Sequence, residues 1–184
     1  MNPDNDTTAP VGVFGLGNVL MGDDALGPTV IAHLLAGYEF PDGVHLEDLG
    51  TPGLDMHPHL AGRQAIILID VVKSAGDPGE LRLYRRDEIL RHAPGVRVSP
   101  HDPGVKEALL ALQFADDEPE ILLVGVIPDK IEHATSMTVT VRAAVTPAIA
   151  AVLAELERLD VPAVRRAAPG HPDLWWEAAG DDRG

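Results

Sequence analysis

Acidic and imidazole side chains placed just beyond apolar runs are the residues of this chain best suited to chemistry. Asp23 and Asp24 lie in GLGNVLMGDDALGP (15–28), Asp48 closes a second run, Asp70 ends AIILID (65–70), and His101 follows VRVSP (96–100). Asp70 is the hardest to explain away, because a carboxylate ending an apolar run is costly to bury unless paired or metal-bound. Two carboxylates and one imidazole suit a borderline divalent ion such as zinc or nickel, with coordination positions left open. Calcium suits them less, since it takes six or more oxygens and leaves the histidine unexplained. Each group also has a plainer use: Asp24 can cap a helix, Asp48 can close a tight turn, and His101 can mark a helix entry. Their meeting on one edge weighs more than any member.

Composition removes other chemistries. The 184 residues include no cysteine, which excludes disulfides, thiolate zinc, iron–sulfur clusters and a cysteine nucleophile. With 29 acidic and 14 basic residues the net charge is −15, and the lysines Lys73, Lys106 and Lys130 are scattered, so no nucleic-acid partner is expected. Runs such as AIILI (65–69) and ILLVGVI (121–127) are too short to cross a bilayer, and MNPDNDTTAP carries no signal pattern. No membrane is expected, and the cytoplasm is the default compartment. GLGNVL shows two of the three glycines of a dinucleotide fingerprint, with Leu20 in the third place. Two aspartates at a helix start would also repel a pyrophosphate. No G-x-S-x-G elbow accompanies Ser74, Ser99 and Ser136. His57 and His59 flank Pro58 and read as a solvated turn; His33, His45, His92, His133 and His171 read as surface residues.

The elements that must position the acids follow from periodicity. VGVFGLG (11–17) reads as a strand ending in glycines, and 24–36 places Leu26, Val30, Ile31, Leu34 and Leu35 at helical spacing. VHLEDL (44–49) alternates as a strand before the GTPG turn (50–53) and a short helical stretch. AIILIDVV (65–72) reads as a strand covered on both faces, and ELRLYRR (80–86) as an edge strand. A helix over 104–113, a buried strand over 120–128 and a long helix over 139–159 complete the pattern, with Pro147 expected to kink or restart the last. Such alternation predicts a single α/β domain with a mainly parallel twisted sheet of about five strands, flanked by helices on both faces. The domain is expected over 11–165, after a disordered lead-in at 1–10 and before a tail at 166–184 that carries Trp175 and Trp176.

Five ordered blocks, GLGNVLMGDDALGP, EDLGTPG (47–53), IDVVKSAGDPG (69–79), SPHDPGVKEAL (99–109) and LLVGVIPDKIE (122–132), resemble the nickel–iron ([NiFe]) hydrogenase maturation endopeptidases over roughly 11–160. The resemblance implies an endopeptidase, classed as aspartyl-type, that removes a C-terminal extension from a nickel-loaded hydrogenase large-subunit precursor. It implies that Asp24, Asp70 and His101 form both the catalytic and the metal-binding triad, although Asp23 stands beside Asp24 in the same motif. Asn18, Asp48, Gly50, Thr51 and Gly53 correspond to the segment bordering the substrate cleft. The nickel would arrive with the precursor, and zinc or cadmium could occupy the site in vitro. Two other readings compete: a nucleotide-binding Rossmann-like module, and a nickel chaperone or checkpoint protein that cuts nothing.

Overall fold

A five-stranded sheet organises the residues described by the computed structural model, 9–92, 105–115 and 117–178. In chain order the elements are β1 (Val11–Leu16), α1 (Leu26–Gly37), β2 (Tyr38–Glu39), β3 (Val44–Gly50), α2 (His57–Leu60), β4 (Ala65–Val71) and β5 (Leu81–Arg85). They continue with α3 (Arg86–His92), α4 (Val105–Phe114), β6 (Glu120–Val126), α5 (Val139–Arg158), β7 (Val164–Arg165) and α6 (Trp175–Ala178). Short 3-10 turns at Gly22–Ala25 and Gly53–Met56 lead into α1 and α2. The strand order is β3-β1-β4-β6-β5, with β5 antiparallel to β6 and the other pairs parallel.

The apolar run AIILIDV becomes the middle strand β4, buried along its whole length. Its residues alternate between two cores, as the pleat requires. Ile67, Ile69 and Val71 join Leu26, Val30 and Leu34 of α1 and Val141, Val145, Val152 and Leu156 of α5 on one face. Ile66 and Leu68 join Leu60 of α2, Ile89 of α3 and Leu109 and Leu112 of α4 on the other. The helices therefore cover both faces, as the strand–helix alternation predicts. β5 takes the edge place that its alternating polar residues predict, and its antiparallel run puts Arg85 opposite Leu122, near the start of β6.

α5 runs from Val139 to Arg158 without a break, although Pro147 sits inside it. Its start is fixed by Thr138, whose hydroxyl accepts the Val141 N–H. By length and mean hydropathy, 1.6, α5 could cross a membrane, but its apolar stripe is the wall of the first core. Full burial of each Val or Leu in that stripe is worth about 1.5–3 kcal/mol, which outweighs one lost helical hydrogen bond.

Two features lie outside the periodicity argument. β2 and β7 pair as a two-stranded antiparallel ribbon, each too short to show a period. The tail does not stray from the body through residue 178. Gly170 N–H donates to Ala36 O, Arg142 pairs with Glu177, and Trp176 is buried while Trp175 stays exposed. Of the expected lead-in, residues 1–8 lie outside the described residues, and Pro10 O already accepts the N–H groups of Gln64 and Ala65.

Candidate active site

The carboxyl ends of β1, β3 and β4 come together around Gly17, where the chain leaves β1. Gly17 has φ +133°, and a Cβ there would stand 1.9 Å from the Asp24 carbonyl oxygen. Only glycine lets the outgoing loop lie this close to the returning turn. Below it, Gly27 at the start of α1 lets the helix meet the strand backbone; a Cβ there would stand 2.3 Å from Leu16 O and 2.6 Å from Ile69 O. These two close approaches bring the Gly22–Ala25 turn onto the end of β4.

That turn carries both aspartates, and they do different work. Asp23 is fully buried, and its carboxylate accepts from Asp129 N, Lys130 N, Thr138 N and the Thr138 hydroxyl, at 2.7–3.2 Å. Its oxygens are taken up by protein donors, so the candidate ligand of the pair is Asp24. Asp24 is 3% exposed, and its Oδ2 accepts the Asn18 N–H at 2.8 Å. The Asn18 side chain folds the same loop, since its Oδ1 accepts the Leu20 N–H. Asn18, expected at the substrate, is thus also a support for Asp24.

Asp70 sits at the end of β4, 6% exposed, and its Oδ1 accepts the Val71 N–H at 2.8 Å. By strand parity it falls with Ile66 and Leu68, on the face covered by α2, α3 and α4. His101 lies outside the described residues, four positions before Val105 of α4, which packs on that same face.

Asp48 stands apart from Asp70. β1 lies between its strand and β4, and Asp48 shares parity with Val44 and Leu46, which pack toward α1. It borders a groove of about 420 Å³ whose walls are Ile31 and Leu35 of α1 and His171, Trp175 and Trp176 of the tail. Its Oδ1 accepts the Gly50 N–H, closing the GTPG turn, and Gly50 O in turn accepts the Gly17 N–H at 2.8 Å. Burial pushes the Asp48 carboxyl above its usual range, against the pull of the Gly50 N–H. Thr51 lies exposed on the same turn, and Gly53 starts the 3-10 turn that follows.

The histidines read as surface residues are partly organised. Glu47 Oε2 bridges His45 Nε2 at 3.0 Å and His59 Nδ1 at 3.3 Å, and the hydrogen bond from His45 leads in holding the Glu47 carboxyl below its usual range. This cluster lies on an exposed flank of β3. Among the described residues no group of three His, Asp or Glu is arranged to hold a metal. Two buried carboxylates, one at the end of β4 and one on the turn packed against it, each already oriented by a main-chain N–H, remain a fitting partial set for a divalent ion. The groups the sequence did not reveal as functional supports are Asp23 and Thr138. The adjacency of two aspartates in GDD was the visible signal, but sorting their roles needed the donors on the 129–138 segment.

Comparison with known proteins identifies the family. The family model for HycI, described as hydrogenase maturation protease, matches residues 28–155. The hydrogenase 2 maturation protease of Escherichia coli K12 is 36% identical over 161 residues, covering 85% of this chain and 96% of its own length. The hydrogenase expression/formation protein HoxM of Azotobacter vinelandii is 35% identical over 162 residues, 86% and 78% of the two chains. The solved structure of the hydrogenase maturating endopeptidase HybD from E. coli superposes with a TM-score of 0.79 at 34% identity, covering 85% of this chain and 98% of that one. The chain belongs to the hydrogenase maturation protease family and is a peptidase of that family.

Proposed function

We propose that this peptidase removes the C-terminal extension of a [NiFe]-hydrogenase large-subunit precursor after nickel has been inserted, in the cytoplasm. The observation that carries the reading is the pair Asp24 and Asp70, two buried carboxylates, one on the turn packed against β4 and one at the end of that strand, in a chain of this family. A cysteine-free chain whose long apolar helix is packed into its core fits a cytoplasmic protein.

Asp24, Asp70 and His101 together offer oxygen and nitrogen donors to a nickel ion already carried by the precursor. No cysteine competes for that ion through a thiolate, so the metal can be inspected without being extracted. A divalent ion at such a site polarises the scissile carbonyl or activates a water. Asp24 is aimed by the Asn18 N–H, and Asp70 by the end of β4, so both present carboxylates without rearrangement of the strands. The groove between α1 and the tail, with Asp48 on its rim, fits the role of a bed for the departing segment. Zinc or cadmium can stand in for nickel in vitro, since both accept the same donors.

Mass spectrometry of the precursor decides between the readings. Wild-type protein is expected to shorten the nickel-loaded precursor and leave the nickel-free one intact, while Asp24→Ala, Asp70→Asn and His101→Ala fail to cut. Full processing by all three variants overturns the site. A precursor that keeps its mass in the presence of wild-type protein overturns the peptidase reading of this substrate and favours a checkpoint role.

A further inference from the structure

We propose that Asp23 is the positioning residue for Asp24: it ties the turn that carries Asp24 to the segment between β6 and α5, and so sets where the Asp24 carboxylate points. The proposal rests on the reading of Asp24 as a metal-facing group, given above. A 3-10 turn of four residues has weak internal hydrogen bonding, and this one has no side-chain cap. Its conformation must come from elsewhere.

The source is a two-way clasp. From the turn, Asp23 sends its carboxylate to three main-chain N–H groups and one hydroxyl, of Asp129, Lys130 and Thr138. Main-chain bonds run beside it: Gly22 N to Ala134 O at 2.9 Å, Asp23 N to Lys130 O at 3.2 Å, and Ala134 N to Leu20 O at 3.1 Å. Residues 20–23 are thereby fixed to both ends of the 129–138 segment, and Asp24 is the next residue on. A buried carboxylate is tolerated here because charge-assisted bonds from neutral donors satisfy it. The choice of donor matters for the neighbour. An Arg or Lys in their place would put a cation beside Asp24 and oppose a divalent ion; amides and a hydroxyl do not.

Fold glue and a positioning residue make different predictions. Loss of glue lowers stability everywhere, whereas loss of positioning frees one carboxylate. The direct reporter is the Asn18 amide, which donates to Asp24 Oδ2. Hydrogen exchange in Asp23→Asn, without metal or substrate, is expected to show Asn18 exchanging roughly tenfold faster or more, beyond any change at β4 and β6 amides such as Ile67 and Leu123. With nickel-loaded precursor, the same variant is expected to lose kcat by a similar factor with KM unchanged, at a temperature where it is folded. Thr138→Ser is expected to behave as wild type, and Thr138→Ala to show a smaller loss in both readouts. If Asp23→Asn does not fold, the Thr138 pair decides. Asn18 exchange and kcat that match wild type in the folded variants, or that fall only in step with global stability, overturn the proposal. Wild-type protein that fails to cut overturns the function proposed above, while Asn18 exchange still judges Asp23 on its own.

Discussion

Asp23 and Glu155 are buried carboxylates at opposite ends of the sheet, and different donors hold them. Asp23, beyond the carboxyl ends of the parallel strands, is met by amides and a hydroxyl. Glu155, near the end of α5, is met by guanidinium groups: Arg85 approaches both oxygens at 2.5 and 2.8 Å, and Arg158 adds bonds at 2.9 and 3.1 Å before reaching on to Glu120. The first arrangement leaves its surroundings negative. The second cancels the charge and fastens α5 to the edge strand β5. One end of the sheet is built to hold an acid next to Asp24, the proposed metal-facing acid, and the other to lock elements together.

The largest expected effect separates the two ends cleanly. Asp70→Asn and Asp24→Ala should each lower precursor processing by roughly 100-fold or more, read as product mass against time, since each removes a group proposed to act at the reacting centre. Their melting temperatures should hold or rise, because clustered buried acids at a site cost stability. A large fall in melting temperature for either variant would instead place that carboxylate in the structural class with Glu155.

Glu155→Gln should do the reverse. It strips charge from a group that two arginines contact, and with both arginines about half exposed the loss is about 1–3 kcal/mol. For a chain of this length that is a fall of very roughly 2–10 °C in Tm. Processing at low temperature should stay at the wild-type rate, and a strong loss of turnover in the folded variant would break the division between the two ends.

How far the sequence foretold this division depends on the range of each contact. β4 was legible because its period and its terminal Asp70 are local facts, and α5 because its stripe repeats over 20 residues. The β2–β7 ribbon was not, since strands of two residues carry no period. The tail gave no pattern, because what holds it is a buried Trp176 and a pair between Arg142 and Glu177, 35 positions apart. At the site, GDD announced two acids but not their split, since Asp23 finds its donors more than a hundred residues later. The Glu155 network was equally hidden: Arg85 and Glu155 are 70 positions apart and meet only once β5 has turned antiparallel.

Acid titration sharpens the same contrast. Burial alone would raise the Glu155 carboxyl, but the bonds from Arg85 and Arg158 more than reverse it, to about 2 from an ordinary 4.5. A carboxyl held lower in the folded state contributes stability that is complete above pH 4.5 and is lost as pH falls from there toward 2. Denaturant midpoints measured across that window should therefore fall steeply for wild type and less steeply for Glu155→Gln. Equal slopes would mean that the arginine bonds do not hold in solution.

Asp48 supplies the smallest effect and the opposite sign. Burial raises its carboxyl above the ordinary 3.8, with the Gly50 N–H opposing, so its favourable contribution is present below pH 3.8 and is lost as pH rises through its folded value. At neutral pH the charged Asp48 is a mild liability, small because the side chain is only partly buried at the groove rim. Asp48→Asn should accordingly raise the denaturant midpoint slightly at pH 7 and leave it unchanged near pH 3, a slope opposite to that of Glu155→Gln. A residue kept at a cost in stability needs another reason to be charged, and the groove between α1 and the tail offers one. The same variant should raise KM for the precursor several-fold while kcat changes little, because β1 separates the strand of Asp48 from that of Asp70. A fall in kcat with KM intact would move Asp48 from the bed of the substrate to the reacting centre.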